Sequence, residues 1–227
     1  TQGFYIPGYI QDEYGITKVS DLADPEIAKL FDIDDDGKGE YWAGVAGWET
    51  TYINQARAKS YGFDEYFEPL IISDAAFKAE LKASIAREEG ILFYYWTPEW
   101  LFAKYDLRQL EEPEFTGYAM ENKQGDPNYN PDGCWKMYQP EERDDWLAAS
   151  DVKCAWPDAK VYIGYSSAFE ERAPEIAEFL NNVHFETDWV ANWIAAIAVD
   201  QELPEDVAET WVEDNQDIVK GWLQAES

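Results

Sequence analysis

The sequence predicts an α/β protein, and three features carry that expectation. Its 227 residues are 46% hydrophobic, enough to bury a substantial core in one large domain or two small ones. A helical pattern over 74–89 passes through Gly90 into the apolar run ILFYYW, which stops at Pro98 and reads as a buried strand. Helical patterns then dominate the C-terminal part, so strands and helices interleave.

Each element rests on its own signal. Over 20–31, Ser20 can cap, Pro25 sits near the start, and Leu22, Ile27, Leu30 and Phe31 recur at helical spacing until an acidic run ends the helix. Helices are expected at 51–61 and, with an amphipathic pattern, at 74–89. A short strand is expected at 116–120, a turn-rich loop at 124–133, and a strand at 160–165 with Val161 and Ile163 as its apolar residues. Further helices are expected over 173–183, 188–199 and 204–223. No internal repeat or low-complexity tract interrupts the pattern.

Composition narrows the function classes. Acidic residues outnumber basic ones 47 to 17, a formal charge of −30, and such a field repels phosphate backbones and anionic headgroups. Nucleic acid and membrane surface are therefore excluded as partners, and most of the carboxylates read as solvated surface. No apolar run approaches the roughly 20 residues that cross a bilayer, and the opening TQGFYIPGYI has neither a basic start nor a leader-like apolar stretch. Cys134 and Cys154 flank a loop-rich stretch that a disulfide would restrain, implying an oxidising compartment; the alternative is two unrelated buried thiols.

The sharpest local motif is DIDDDGKGE, from Asp32 to Glu40. Side-chain oxygens of Asp32, Asp34 and Asp36, the backbone carbonyl of Lys38 and the Glu40 carboxylate follow the ligand order of a calcium loop, with Gly37 permitting the sharp turn. Without a cation the crowded carboxylates repel one another. Loop position twelve is Ala43, so the bidentate glutamate of a full EF-hand is missing. A structural Ca2+ is preferred over a solvated acidic turn, and over a sensor, which needs a paired second loop. The loop is expected to pin a helix that begins after it and so to hold Trp48.

Aromatic residues are abundant, with 11 Trp and 15 Tyr. Trp48, in AGWET, and Trp96 and Trp100, in YYWTPEW, lie on turns bounded by Gly and Pro. Ring faces carry negative potential, so several set around one cavity can hold a methylated ammonium, each contributing about 0.5–2 kcal/mol. Trp42, Trp189, Trp193, Trp211 and Trp222 sit in helical patterns or beside the acidic loop and are assigned to packing. Stacking of sugars on the rings stays open. Catalytic signals are poor: His184 is the one histidine, and GxSxG, GxxxxGK[ST], HExxH and GxGxxG are all absent. Among 47 acids, chance carboxylate pairs carry no weight. No enzyme is expected.

Several stretches resemble the glycine betaine/proline betaine substrate-binding proteins of osmoprotectant ABC transporters, including their trimethylamine N-oxide and choline binders. These are DLADPEIAKLFDIDDDGKGEYWAG, GWETTYINQARAKSYG, GILFYYWTPEWLFAKYDLRQLEEP, which is the most specific, and AETWVEDNQDIVKGWL. The resemblance implies a two-lobed periplasmic-binding-protein-like fold of type II, with α/β lobes hinged around a central cleft. Residues 1–118 would form a ligand-binding lobe with the calcium loop, and 119–227 a returning segment and helices contributing to the other lobe. One box wall would be Trp48, with the backbone amides of Glu49 and Thr50 just after it; another would be Trp96 or Trp100; Trp156 would add a face. Lobe closure would capture one solute and present it to a membrane permease, in a periplasmic or other extracytoplasmic location.

Two departures from the family pattern bear on this. Members begin with a long segment that builds most of the first lobe and supplies one more box aromatic, whereas TQGFYIPGYI resembles a strand well inside such a chain; a fragment, or a lobe completed by a separate polypeptide, is expected. Glu49 stands where betaine binders offer small residues, and its charge would disfavour a carboxylated ligand and suit trimethylamine N-oxide or choline. Two other classes are compatible with the composition: a carbohydrate-active enzyme stacking sugars on tryptophan, and a calcium-stabilised interaction module. Convergence of Trp48 and Trp96 on one cavity would favour the osmolyte binder over an exposed interaction patch.

Overall fold

The computed structural model describes residues 1–157 and 159–223. The chain divides into two compact units, one of Gln2–Trp96 with Asp106–Pro157, the other of Thr1, Thr97–Tyr105 and the chain from Asp158 onward. The expected division after residue 118 therefore falls inside the larger unit.

The larger unit is built on five strands: β1 (Gln2–Pro7), β2 (Gly39–Gly44), β3 (Phe67–Ile71), β4 (Leu92–Trp96) and β5 (Leu107–Gln109), in the order β3-β2-β4-β1-β5. β2 runs parallel to β3 and β4, while β1 runs antiparallel to β4 and β5, with Gln2 opposite Trp96. The same unit holds α1 (Gly8–Tyr14), α2 (Pro25–Ala28), α3 (Glu49–Tyr61) and α4 (Asp74–Arg87). ILFYYW forms β4 as expected: Leu92, Phe93, Tyr94 and Tyr95 are all buried, so both faces of the strand are covered and its apolar run is continuous. One face packs on Phe4, Tyr41 and Phe63. On another, Trp42 stacks on Phe77 of α4 at 4.2 Å and donates through Nε1 to the Ile72 carbonyl. Trp42 is thus a core residue, as its sequence setting suggested.

Three expected elements of the larger unit differ. The helix over 20–31 is broken into a 3-10 turn at Val19–Leu22, the single turn α2, and a second 3-10 turn at Lys29–Phe31. Asp24 caps Glu26 N and Pro25 occupies N1, so the cap restarts the helix inside the expected span. The 116–120 strand reduces to isolated bridges from Tyr118 to Tyr129 and Trp135. The acidic loop leads into strand β2 and not into a helix, so whatever anchors the loop anchors a strand paired on both edges, between β3 and β4.

A small hairpin-like pair, β6 (Trp135–Lys136) and β7 (Asp151–Val152), with α6 (Trp146–Ala149) between them, completes the larger unit. Cys134 and Cys154 are joined in a disulfide, which ties together the two segments of this pair. Lys59 donates to the carbonyls of Leu147, Ala148 and Ser150, capping α6 with an ammonium at its negative end.

The second unit is helical among its described residues: α5 (Trp100–Lys104), α7 (Ser167–Arg172), α8 (Pro174–Asn182), α9 (Thr187–Ala198), α10 (Pro204–Asp214) and α11 (Gln216–Trp222). The expected 204–223 helix is interrupted at Asn215, between α10 and α11. Trp193, Trp211 and Trp222 pack on one another, with Trp211 and Trp222 stacked at 5.5 Å. The 160–165 segment is not a strand; Val161 is 92% exposed, and no strand of this unit is described for it to pair with, so its alternating pattern finds no sheet.

A candidate ligand cleft and an acidic loop

Trp48 is positioned by the start of α3, of which it is the N-cap. Its ring meets Trp42 edge-on at 6.1 Å and Trp96 at 5.9 Å with 63° between the planes. Trp96 ends β4 and stacks on Tyr95 at 4.5 Å with only 5° between planes. The two indoles therefore form adjoining walls, each backed by a core aromatic. They converge on one wide-mouthed cleft of about 400 Å3, lined by Gln2, Trp48, Glu49, Thr50, Tyr94 and Trp96.

Gln2 and Tyr94 are lining residues that the sequence reading missed. Tyr94 precedes Trp96 by two positions on a strand, so the two rings share a face, and this signal was available in the sequence. The Tyr94 hydroxyl donates to Gln2 Oε1 at 2.6 Å. Glu49 and Thr50 open α3, where the first backbone N–H groups have no intrahelical acceptor. A carboxylate at this end is also favoured by the helix dipole, so Glu49 suits the fold whatever its role. Glu49 lines the cleft, and its carboxylate accepts from Gln139 Nε2 at 3.5 Å, a contact across 90 positions that no local pattern reveals.

The other expected wall residues lie elsewhere. Trp100 opens α5 in the second unit, its ring 6.3 Å from Tyr105. Trp156 stands behind Tyr94 at 5.8 Å and packs against Trp135 at 5.1 Å, lining a separate cleft that also reaches Glu49. The guanidinium of Arg57, from α3, lies over the faces of Trp156 and Phe4 at 5.6 and 4.7 Å. Arg57 pairs with Glu112, both fully buried, and donates to Asn54 Oδ1 at 3.1 Å.

In the acidic loop, one carboxylate oxygen each from Asp32, Asp34, Asp36 and Glu40 falls within 4.8 Å of the others. Ligand oxygens at 2.3–2.6 Å from a Ca2+ lie at most about 4.6–5.2 Å apart, so the donor set and its spacing fit that ion. Backbone amides now hold the carboxylates: Ile33 N donates to Glu40 at 2.7 Å, Gly37 N to Asp32 at 2.9 Å and Lys38 N to Asp36 at 2.9 Å. Gly37 takes φ +95°, the conformation for which its glycine was singled out. Lys38 sends its ammonium to Glu68, away from the cluster. Burial and the neighbouring aspartates raise the Glu40 pKa, against the Ile33 hydrogen bond. Ala43, at the twelfth position, is buried in β2.

Residues 1–214 match the family described as the substrate binding domain of the ABC-type glycine betaine transport system. The glycine betaine/proline betaine-binding periplasmic protein of Salmonella typhimurium is 30% identical over 100 residues, 44% of this chain and 30% of that protein. The trimethylamine N-oxide-binding protein of Pelagibacter ubique is 26% identical over 206 residues, 90% of this chain and 57% of that protein. The fold is similar to that of lactococcal OpuAC, solved closed with glycine betaine: TM-score 0.54, 17% identity, 98% of this chain and 66% of that one. The chain thus spans less than two thirds of the length of each of these relatives.

Proposed function

Because the chain belongs to the family of substrate binding domains of ABC-type glycine betaine transport systems, a family of solute binders and not of enzymes, we propose that it grips a methylated amine between Trp48 and Trp96. The observation that carries this reading is the convergence of the two indoles, 5.9 Å apart, on one cleft. An ammonium without N–H groups can be held there only by ring faces and by charge. Glu49 supplies the charge, and the free amides at the start of α3 offer donors to a small polar head. A carboxylated ligand would bring its anion toward Glu49, so trimethylamine N-oxide or choline is favoured over glycine betaine.

Two walls leave the ammonium open to water on its remaining sides. In this reading lobe closure shields those sides and delivers the captured solute to a membrane permease. A periplasmic or similar extracytoplasmic location is supported by the periplasmic relatives and by the disulfide; no helix among the described residues is long and apolar enough to cross a membrane. We assign Ca2+ to the acidic loop as a structural ion. Asp32, Asp34, Asp36, Glu40 and the carbonyl of Lys38 would hold it, steadying β2, whose Trp42 backs Trp48.

Tryptophan fluorescence titrated with trimethylamine N-oxide, choline, glycine betaine and a neutral sugar tests the reading. A saturable change with trimethylamine N-oxide or choline, lost in Trp48→Ala and weakened but not abolished by a calcium chelator, is the expected result. A response to the sugar alone would turn the reading to carbohydrate binding, and a trimethylamine N-oxide or choline response unchanged in Trp48→Ala would remove the cage.

A further inference from the structure

A second cleft, of about 280 Å3, lies on the other side of Glu49 in the same unit. Tyr118, Trp135 and Trp156 give it aromatic walls, as Trp48 and Trp96 wall the first, and Glu49 and Glu142 give it carboxylates. It differs from the first cleft in one respect that decides its chemistry: it contains a cation. Lys123 lines it, with Nζ held 5.3 Å from the centre of the Tyr118 ring, and no ion-pair partner for Lys123 is found among the described residues. Acids outnumber basic residues 47 to 17 in this chain, yet this ammonium rests on an aromatic face with its charge unpaired and open to an incoming anion.

We infer that this cleft is a second binding site, for a small zwitterion whose carboxylate pairs with Lys123 and whose cationic nitrogen lies against the indole walls and Glu49. The first cleft offers a carboxylate and no cation, so it discriminates against such a ligand; the second offers both signs. The site is also built to keep its shape. The Cys134–Cys154 disulfide adjoins Trp135 and lies two residues from Trp156, and these indoles pack at 5.1 Å. Gln139 donates from its backbone to Glu142 at 2.7 Å and from its side chain to Glu49 at 3.5 Å, holding both acids at the rim. Because Glu49 belongs to both clefts, a cation on one side reduces its attraction for a cation on the other. The two ligands are therefore mutually antagonistic without sharing a cavity.

This inference rests on the second cleft alone and stands whether or not the first takes a methylated amine. Calorimetric titration with glycine betaine, on the whole chain and on two variants, separates the possibilities. The wild type is expected to bind it, Trp48→Ala to retain that binding, and Lys123→Glu to weaken it by about tenfold or more through charge reversal. Lys123→Glu should keep the wild-type circular dichroism spectrum and melting temperature, which controls for misfolding whatever the first cleft binds and keeps the two readings distinguishable. No betaine binding by the wild type overturns the inference. So does betaine binding that is lost in Trp48→Ala and indifferent to Lys123→Glu.

Discussion

Arg57 with Glu112, and the acidic loop from Asp32 to Glu40, are both dense clusters of charge in the larger unit, and they are handled in opposite ways. Arg57 and Glu112 have side chains only 0% and 1% exposed, so bulk water cannot solvate them and the fold supplies their partners, except at Arg57 Nε and Glu112 Oε2, which have none. Asn54 accepts from the guanidinium and in turn donates to the Ala43 carbonyl at 2.9 Å, fixing the pair to β2. The loop instead gathers four like charges within 4.8 Å near the surface, with Lys38 turned away to Glu68. Opposite charges locked inside make a fixed part of the fold; like charges gathered at the rim make the loop to which we assign a Ca2+.

The sharpest way to break this contrast is to leave one buried charge alone. Arg57→Leu strands Glu112 in the core and should destabilise the chain by about 3–5 kcal/mol, read from the midpoint of denaturant unfolding; a loss below about 1 kcal/mol would mean that water reaches the pair. The loop predicts the next largest effect. Calcium at a hundredfold excess over its dissociation constant should add about 2.7 kcal/mol, raising the melting temperature, and a chelator should reverse it. An unchanged melting temperature in both conditions would reduce the loop to a solvated turn.

Asp34→Asn sharpens the same point from the other side. Removing one of four like charges should leave the chelated chain equally or slightly more stable, by about 0.5 kcal/mol, while abolishing the calcium response. Stability that falls in chelator would show that Asp34 serves the turn through its bond to Asp36 N more than it repels its neighbours.

The smallest effect concerns pH. Burial holds the Glu112 carboxyl above the ordinary carboxylate range, with the Arg57 guanidinium pulling the other way. A raised folded-state value means that the folded chain holds the proton more tightly than the unfolded one. That contribution is complete below the ordinary glutamate value and is lost as pH rises through the raised one. Glu112→Gln should remove this part of the pH–stability curve, while its overall cost should match or exceed that of Arg57→Leu, because the buried Arg57 guanidinium it leaves unpaired cannot shed its charge. A curve identical to wild type would place the ionised pair at no net disadvantage.

The same division between inside and rim explains what the sequence made legible. β4 could be read because both its faces are buried and its apolar run is unbroken. β2 could not, because it is bounded by Gly39 and Gly44 and follows an acidic loop that suggested a helix next. The 160–165 stretch carries strand alternation, but pairing is a property of the neighbours and none is described there. At the candidate site, Trp48 and Trp96 stood out by type and by their turns, whereas Gln139 on Glu49 is a long-range contact with no local signature. Arg57 was invisible for a different reason: an arginine in a helical pattern reads as solvent-facing, and only the tertiary partner Glu112 turns it inward.

The register of the sheet also sets an order of events. Gln2 and Trp96 are directly opposite across β1 and β4, and both line the first cleft. On a ribosome, β2 and β3 emerge and can pair first, but β1 must wait with both its edges bare until β4 and then β5 have been made. Such long-range closure is slow and leaves apolar strands uncovered meanwhile. The first cleft thus cannot exist before β4 has been made, and until then β1, rich in Phe4, Tyr5 and Ile6, is the segment that a chaperone would most need to shield.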